Sequence, residues 1–246
     1  MNSLANIYNM VNSLNMKNPW IVIGVIALVL FGGAIWFGNN AAKQNNEGVV
    51  VKSHIKGNPE ATVKLVEYSD LQCPACAGVQ PFVKDLVDQY GDKLSFEYKH
   101  FPLPIHPYAI QAAVAAEAAG QQDKFFEFHD KLFENQATWS KSPTPQAFFM
   151  QYAEELELDM DTFKRHMRSS VLKDNVESQF AEGKDAGVPG TPTFFLNGEK
   201  MEYKTYEEFI TQITSLVDPE VAKFLQENGL APSTTPTAAP EVKFGL

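Results

Sequence analysis

Charged and polar side chains recur along most of this chain. They vanish between Trp20 and Phe37, where "WIVIGVIALVLFGGAIWF" carries no charge and hardly a polar group. A run that is apolar on every side suits lipid better than the surface of a soluble domain. At ~1.5 Å of rise per residue it is just long enough to cross ~30 Å of hydrocarbon. Trp20 and Trp36 stand near its ends, where amphipathic rings favour the headgroup layer. The pattern predicts a transmembrane helix over 20–37, kept as a signal-anchor, because a signal peptide has a shorter apolar stretch behind a short basic head. Lys17 and the short head give a cytoplasmic segment over 1–19 and place the rest of the chain outside the cytoplasm.

Beyond the anchor the pattern changes twice. "GNNAAKQNNEG", Gly38 to Gly48, is polar, small and without pattern, and 38–57 reads as a linker. "TVKLVEYSD", Thr62 to Asp70, then reads as a β-branched strand with Glu67 inside it. In "FVKDLVDQYG" the apolar positions Phe82, Val83, Leu86, Val87 and Tyr90 follow a helical period and Gly91 stops it, so a helix starts at the CxxC, with Pro81 kinking its first part. "KLSFEYKHF", Lys93 to Phe101, returns as a strand and completes a βαβ unit. From about 104 to 186 the pattern is helical throughout, with four or five helices and a stripe of Phe125, Phe128 and Leu132 that reads as core. "TPTFFLNGEKMEY" is a hairpin turning at Asn197-Gly198. An amphipathic helix follows to about 217, and 218–246 reads as an extension ending in a disordered Pro/Thr/Ala tail.

Composition adds one exclusion. The net charge is −10 with the basic residues scattered, which removes the basic face that nucleic acid would need. The chemistry sits in "DLQCPACAGVQPF", which holds the chain's two cysteines, Cys73 and Cys76. A helix start aims unpaired backbone N–H groups and the positive end of the helix dipole at the first sulfur. Both favour a thiolate at Cys73, the form that attacks a disulfide and also leaves well. Cys76, one turn deeper, is the shielded resolving thiol. Pro74 suits the first turn because its missing N–H costs little there. A zinc site would need a second close pair of ligands, and the histidines at 54, 100, 106, 129 and 166 supply none. A static staple would close too small a loop to restrain much of the unfolded chain.

With these residues the chain resembles the extracytoplasmic DsbA-like thiol-disulfide oxidoreductases of the thioredoxin superfamily, over about 57 to 217. "VEYSDLQCPAC" is similar to their strand and active-site signature, the block after "FPLPIHPYA" to their inserted helical domain, and "GVPGTPTFFLNG" to the loop before the third strand. The resemblance implies an α/β thioredoxin fold over 58–217 with a helical insert at about 104–186, preceded by the transmembrane helix. It implies that Pro192 is the cis-proline beside the CxxC, with Thr191 offering its backbone to substrate, and that Glu67 lies beneath the active site as a proton acceptor for Cys76. Asp70 reads as a turn or cap residue and His106 as the start of the insert. The dipeptide Pro74-Ala75 lacks a polar side chain, so the Cys73 thiolate depends on backbone amides. The implied activity is donation of the Cys73–Cys76 disulfide to cysteine-containing proteins. No cofactor beyond that disulfide and no metal is expected, and a quinone-linked oxidase in the membrane would regenerate it. A reductase or isomerase, and a non-catalytic peptide-binding scaffold, remain as alternatives.

Overall fold

The computed structural model describes residues 19–228. The N-terminal segment read as a cytoplasmic head and the tail beyond 228 lie outside the described residues. The chain divides into two compact units, up to Glu47 and from Gly48 onward.

The first unit is helix α1, Pro19–Asn45. It is long and apolar enough to cross a membrane, and large side chains such as Leu28, Phe31 and Trp36 face outward along it. The helix does not stop at Phe37 but continues through the first part of the segment read as linker. Ala41, Ala42, Lys43 and Gln44 are strong helix formers, and extending an existing helix costs far less than nucleating a new one. Gly48, the first residue of the second unit, has φ +76°.

The second unit is built on a five-stranded sheet in the order β1-β3-β2-β4-β5. The strands are β1 (His54–Gly57), β2 (Val63–Ser69), β3 (Leu94–His100), β4 (Thr193–Leu196) and β5 (Glu199–Lys200). β2 and β3 run parallel, joined by helix α2 (Pro74–Tyr90), and the other pairings are antiparallel. β1 corrects the sequence reading, which placed it in the linker. Four residues without alternation carry no strand signal, and β1 exists because it docks on the edge of β3, with His54 opposite Tyr98. The hairpin turns at Asn197 (φ 52°) and Gly198 (φ 85°), the pair of left-handed residues that a two-residue hairpin turn requires.

Between β3 and β4 come α3 (Ala109–Gly120), α4 (Phe125–Glu134), the short α5 (Gln136–Trp139), α6 (Pro145–Glu155), α7 (Met160–His166) and α8 (Ser170–Asp185). These are six helices among the described residues, where the sequence reading counted four or five. Helix α3 is buried almost all round, as its run of alanines permits. Asp159 and Ser169 cap α7 and α8 by accepting from Thr162 N and Leu172 N. The chain closes with α9 (Tyr206–Val217) and α10 (Pro219–Glu227).

Strand alternation decides what lies on each face of the sheet. Val63 and Leu65 of β2 point into the main core, with Val79 and Val83 of α2 and Phe128 and Leu132 of α4. Glu67 follows in the same register and is equally buried. Val66 and Tyr68 point to the other face, into a smaller cluster with Phe101, Val188 and Phe195. Gly183 of α8 lies against that cluster. A Cβ there would stand 2.6 Å from Phe101 Cδ2 and 2.8 Å from Tyr68 Cδ1. Tyr68 cannot swing clear, because its hydroxyl is hydrogen-bonded to Glu182 at 3.0 Å. Gly183→Ala is therefore expected to cost about 1–3 kcal/mol of overpacking and to lower the melting temperature by roughly 5 °C. An unchanged melting temperature would mean that the two rings yield freely.

Candidate redox site

Each part of the site is held by a different element. Cys73 is the N-cap of α2, with extended φ −75° and ψ 121°, and Pro74 opens the helix. The loop before it is fixed by Asp70, which is 2 % exposed. One Asp70 oxygen accepts from Gln72 N at 2.7 Å. The other accepts from Leu103 N at 2.8 Å and lies 2.7 Å from His106 Nδ1. The Asp70 carbonyl accepts from Cys73 N at 2.9 Å. Asp70 and His106, read from sequence as a cap and a helix start, thus form one brace between the CxxC loop and the 101–108 loop.

Two glutamines escaped the sequence reading. Gln136 Nε2 donates to Leu71 O at 2.8 Å and to Cys73 O at 2.9 Å, so the helical insert holds the active loop from behind. Gln72 accepts from Tyr108 N at 2.7 Å and donates to Ser140 O at 3.3 Å. Neither has a sequence signal beyond being polar in an apolar neighbourhood.

The structure brings Cys73, Cys76, Glu67 and the Thr191–Pro192 loop together, while Pro74 and Ala75 sit exposed on the first turn. The Thr191–Pro192 peptide bond is cis. The Cys73 thiol points at the Thr191 carbonyl, 3.5 Å away. Both cysteines are free thiols here, and their environments drive them apart. A hydrogen bond from the Cys76 thiol lowers the Cys73 pKa to about 5, with further help from Thr191 and from the backbone N–H groups of Cys76 and Ala75, against the cost of burial. The Thr191 hydroxyl has no other partner among the described residues, so it is available to the thiolate. Burial pushes Cys76 well above an ordinary thiol, and the hydrogen bond to Cys73 and the Glu67 charge act the same way. Glu67, 3 % exposed, is raised to about 7, mainly by burial, with Ser69 opposing and the Cys73 charge adding to the rise. The arrangement offers an ionised sulfur at the helix N-cap, a protonated sulfur one turn behind it, and a carboxyl that changes charge near neutral pH. Among the described residues no cluster of three metal-ligating side chains occurs.

The fold has relatives among solved structures. The fold is similar to the crystal structure of alpha-DsbA1 from Wolbachia pipientis, with TM-score 0.60 and 22% identity, over 74% of this chain and 99% of that one. It is similar also to BdbD from Bacillus subtilis, with TM-score 0.55 and 20% identity over 75% of this chain and 94% of that one. Pseudomonas aeruginosa DsbA2 aligns with TM-score 0.53 and 21% identity, over 68% and 96% of the two chains. In sequence, the chain is 37% identical over 150 residues to Na(+)/H(+) antiporter NhaA 3 of Salinispora tropica and 38% identical over 151 residues to NhaA 1 of Salinispora arenicola. These matches take in 61% of this chain but only 22% of each antiporter's length. Residues 50–215 match the family described as Thioredoxin. The chain belongs to the thioredoxin family and has the fold of its DsbA-type solved relatives.

Proposed function

We propose that this chain is a membrane-tethered thiol-disulfide oxidoreductase that donates its Cys73–Cys76 disulfide to cysteines of proteins outside the cytoplasm. The observation that carries the reading is the split between the two sulfurs, with Cys73 lowered to about 5 and Cys76 raised. A substrate thiolate attacks Cys73 Sγ, the bond to Cys76 breaks, and Cys76 leaves with the electron pair and takes up a proton. A second substrate thiolate then attacks its own sulfur in the mixed disulfide, and Cys73 leaves as a thiolate. The substrate has lost two electrons and the enzyme has gained them. The low basicity of Cys73 favours this last departure and stabilises the reduced enzyme, which makes its disulfide oxidising.

Thr191 and Pro192 line the substrate groove in this reading, and the Thr191 backbone pairs with an extended substrate segment. Pro74 and Ala75 leave the thiolate to the backbone amides, Thr191 and Cys76. The anchor at 20–37 ties the unit to the membrane, where a quinone-linked oxidase would remove the two electrons. Its relatives' naming as antiporters supports a membrane setting, and persistence of disulfides outside the cytoplasm supports the orientation.

The Cys73 pKa lies between the values of about 7 and about 3.5 that accompany potentials of about −270 and −120 mV in thioredoxin and DsbA. The full chain in detergent, equilibrated with glutathione buffers, is expected to show a potential between those two and to oxidise a reduced two-cysteine peptide. A potential at or below thioredoxin's would turn the proposal to the reductase alternative.

A further inference from the structure

Glu67 has a second set of neighbours, away from the cysteines. It lines a crevice between α2 and α4, about 290 Å³ with its open mouth included, together with Gln80, Lys84, Lys56, His129 and Asp130. The site chemistry described above uses none of the last five.

His129 is the unusual member. It is 4 % exposed and packed edge-on against Tyr98 and Phe133, with ring centroids 4.7 and 4.8 Å apart. Tyr98 is in turn the residue opposite Glu67 in the β2–β3 ladder. His129 Nδ1 lies 2.9 Å from Asp130 Oδ1, while its Nε2 is buried without a hydrogen-bond partner among the described residues. Asp130 is itself held by Gln80 Nε2 at 3.0 Å and faces Lys84 Nζ at 3.6 Å. An ionised Asp130 fixes the tautomer with the proton on Nδ1, which leaves Nε2 as an acceptor. A phenylalanine would serve the packing without burying an unpaired nitrogen. A water in the crevice would satisfy that nitrogen and join it to Glu67.

We propose that His129, oriented by Asp130, relays protons between Glu67 and solvent through this crevice. The relay rests on the reading of Glu67 as the proton partner of Cys76. It matters because a bound protein covers the groove side, so the carboxyl must equilibrate with solvent elsewhere. When Cys76 resolves a mixed disulfide, its thiol proton passes to the Glu67 carboxylate. The Cys76 thiolate attacks Cys73 Sγ, the bond from Cys73 to the partner sulfur breaks, and the electron pair leaves on the partner thiolate. Glu67 must be ionised to accept the Cys76 proton, and it is emptied beforehand through water to His129 Nε2, whose imidazolium, its charge balanced by Asp130, gives the proton up through the crevice. Burial keeps the His129 pKa below the ordinary imidazole value, so the ring is a neutral acceptor between transfers. The titratable and charged groups around it are Asp130 beside it, Lys56 from β1, Glu67 from β2, Lys84 from α2, and Tyr98 and His100 from β3.

The test uses the full reduced chain in detergent, mixed with one equivalent of an aromatic disulfide whose released thiolate is coloured. Attack by Cys73 gives a first phase of colour and resolution by Cys76 a second. His129→Phe is expected to slow the second phase roughly tenfold relative to the first and to flatten its dependence on pH around neutrality. Asp130→Asn, which leaves the ring packing in place, is expected to slow it in the same direction and carries the test if His129→Phe does not fold. Two folded variants with the wild-type ratio of phases and the wild-type pH profile would overturn the relay while leaving Glu67 in place. A Glu67→Gln chain with an unchanged second phase would instead remove the proton partner itself, and the relay with it.

Discussion

A Cys73→Ser chain is expected to lose disulfide exchange by at least about a thousandfold, the scale on which removal of a nucleophile is felt, while Cys76→Ser accumulates mixed disulfides. The asymmetry follows from position. Cys73 caps α2, receives backbone N–H groups and is lowered to about 5. Cys76, one turn on, is 0 % exposed and is raised by burial before any charge acts on it. The remaining thiol of Cys73→Ser is therefore both inaccessible and protonated. In Cys76→Ser the attacking sulfur survives, and serine cannot expel the partner from the disulfide that forms. Reduced wild-type chain treated with a limiting alkylating agent at about pH 6 should carry the label on Cys73, where thiolate already dominates. Faster labelling of Cys76 would reverse the assignment, and with it the direction in which substrate approaches.

How much of this was legible in the sequence depends on the range of the interaction that fixes each part. The CxxC at a strand-to-helix junction and the Asn197-Gly198 hairpin are set by neighbours in the chain, and the structure forms both where the pattern put them. β1 is held by its partner strand rather than by its own four residues, so periodicity missed it. The continuation of α1 to Asn45 was a question of local propensity overlooked in favour of polarity. Long-range polar contacts left no trace. Gln136 reaches the Leu71 and Cys73 carbonyls across more than sixty positions of sequence. Glu117, in a helix that reads as plain Ala-rich core, lies 3.0 Å from His54 Nε2 and 3.4 Å from His100 Nε2 and ties β1 and β3 to the insert. A buried acid looks the same in sequence whether it is an ion-pair partner, as Glu117 is, or an isolated carboxyl such as Glu67. Only the surroundings in space tell them apart, and they send the two pKa values in opposite directions, to about 2 and about 7.

Glu67→Gln is expected to make the protein more stable and the enzyme slower, with both effects depending on pH. Below about pH 4.5 the carboxyl is protonated in folded and unfolded chains alike, so its contribution to stability is fully present there. Between that value and the folded pKa of about 7, the unfolded chain releases a proton that the folded chain keeps, and stability falls as pH rises. Above about 7 both states are ionised and the folded chain carries the whole cost of a buried charge, about 3 kcal/mol at 1.36 kcal/mol per unit. Glutamine has nearly the same shape and no charge to bury. The variant should therefore melt like the parent at pH 4 and roughly 5–10 °C higher at pH 8. Its penalty falls on the step in which Cys76 gives up its proton, slowed by about 10²-fold near neutral pH, the usual scale for loss of a general base. Thermal melts of the full chain at the two pH values, run beside single-turnover resolution kinetics, separate the parts. Equal melting gains at both pH values would mean that the carboxylate is not what burial opposes. A gain at pH 8 without a slower Cys76 step would leave Glu67 a buried charge with no part in the chemistry.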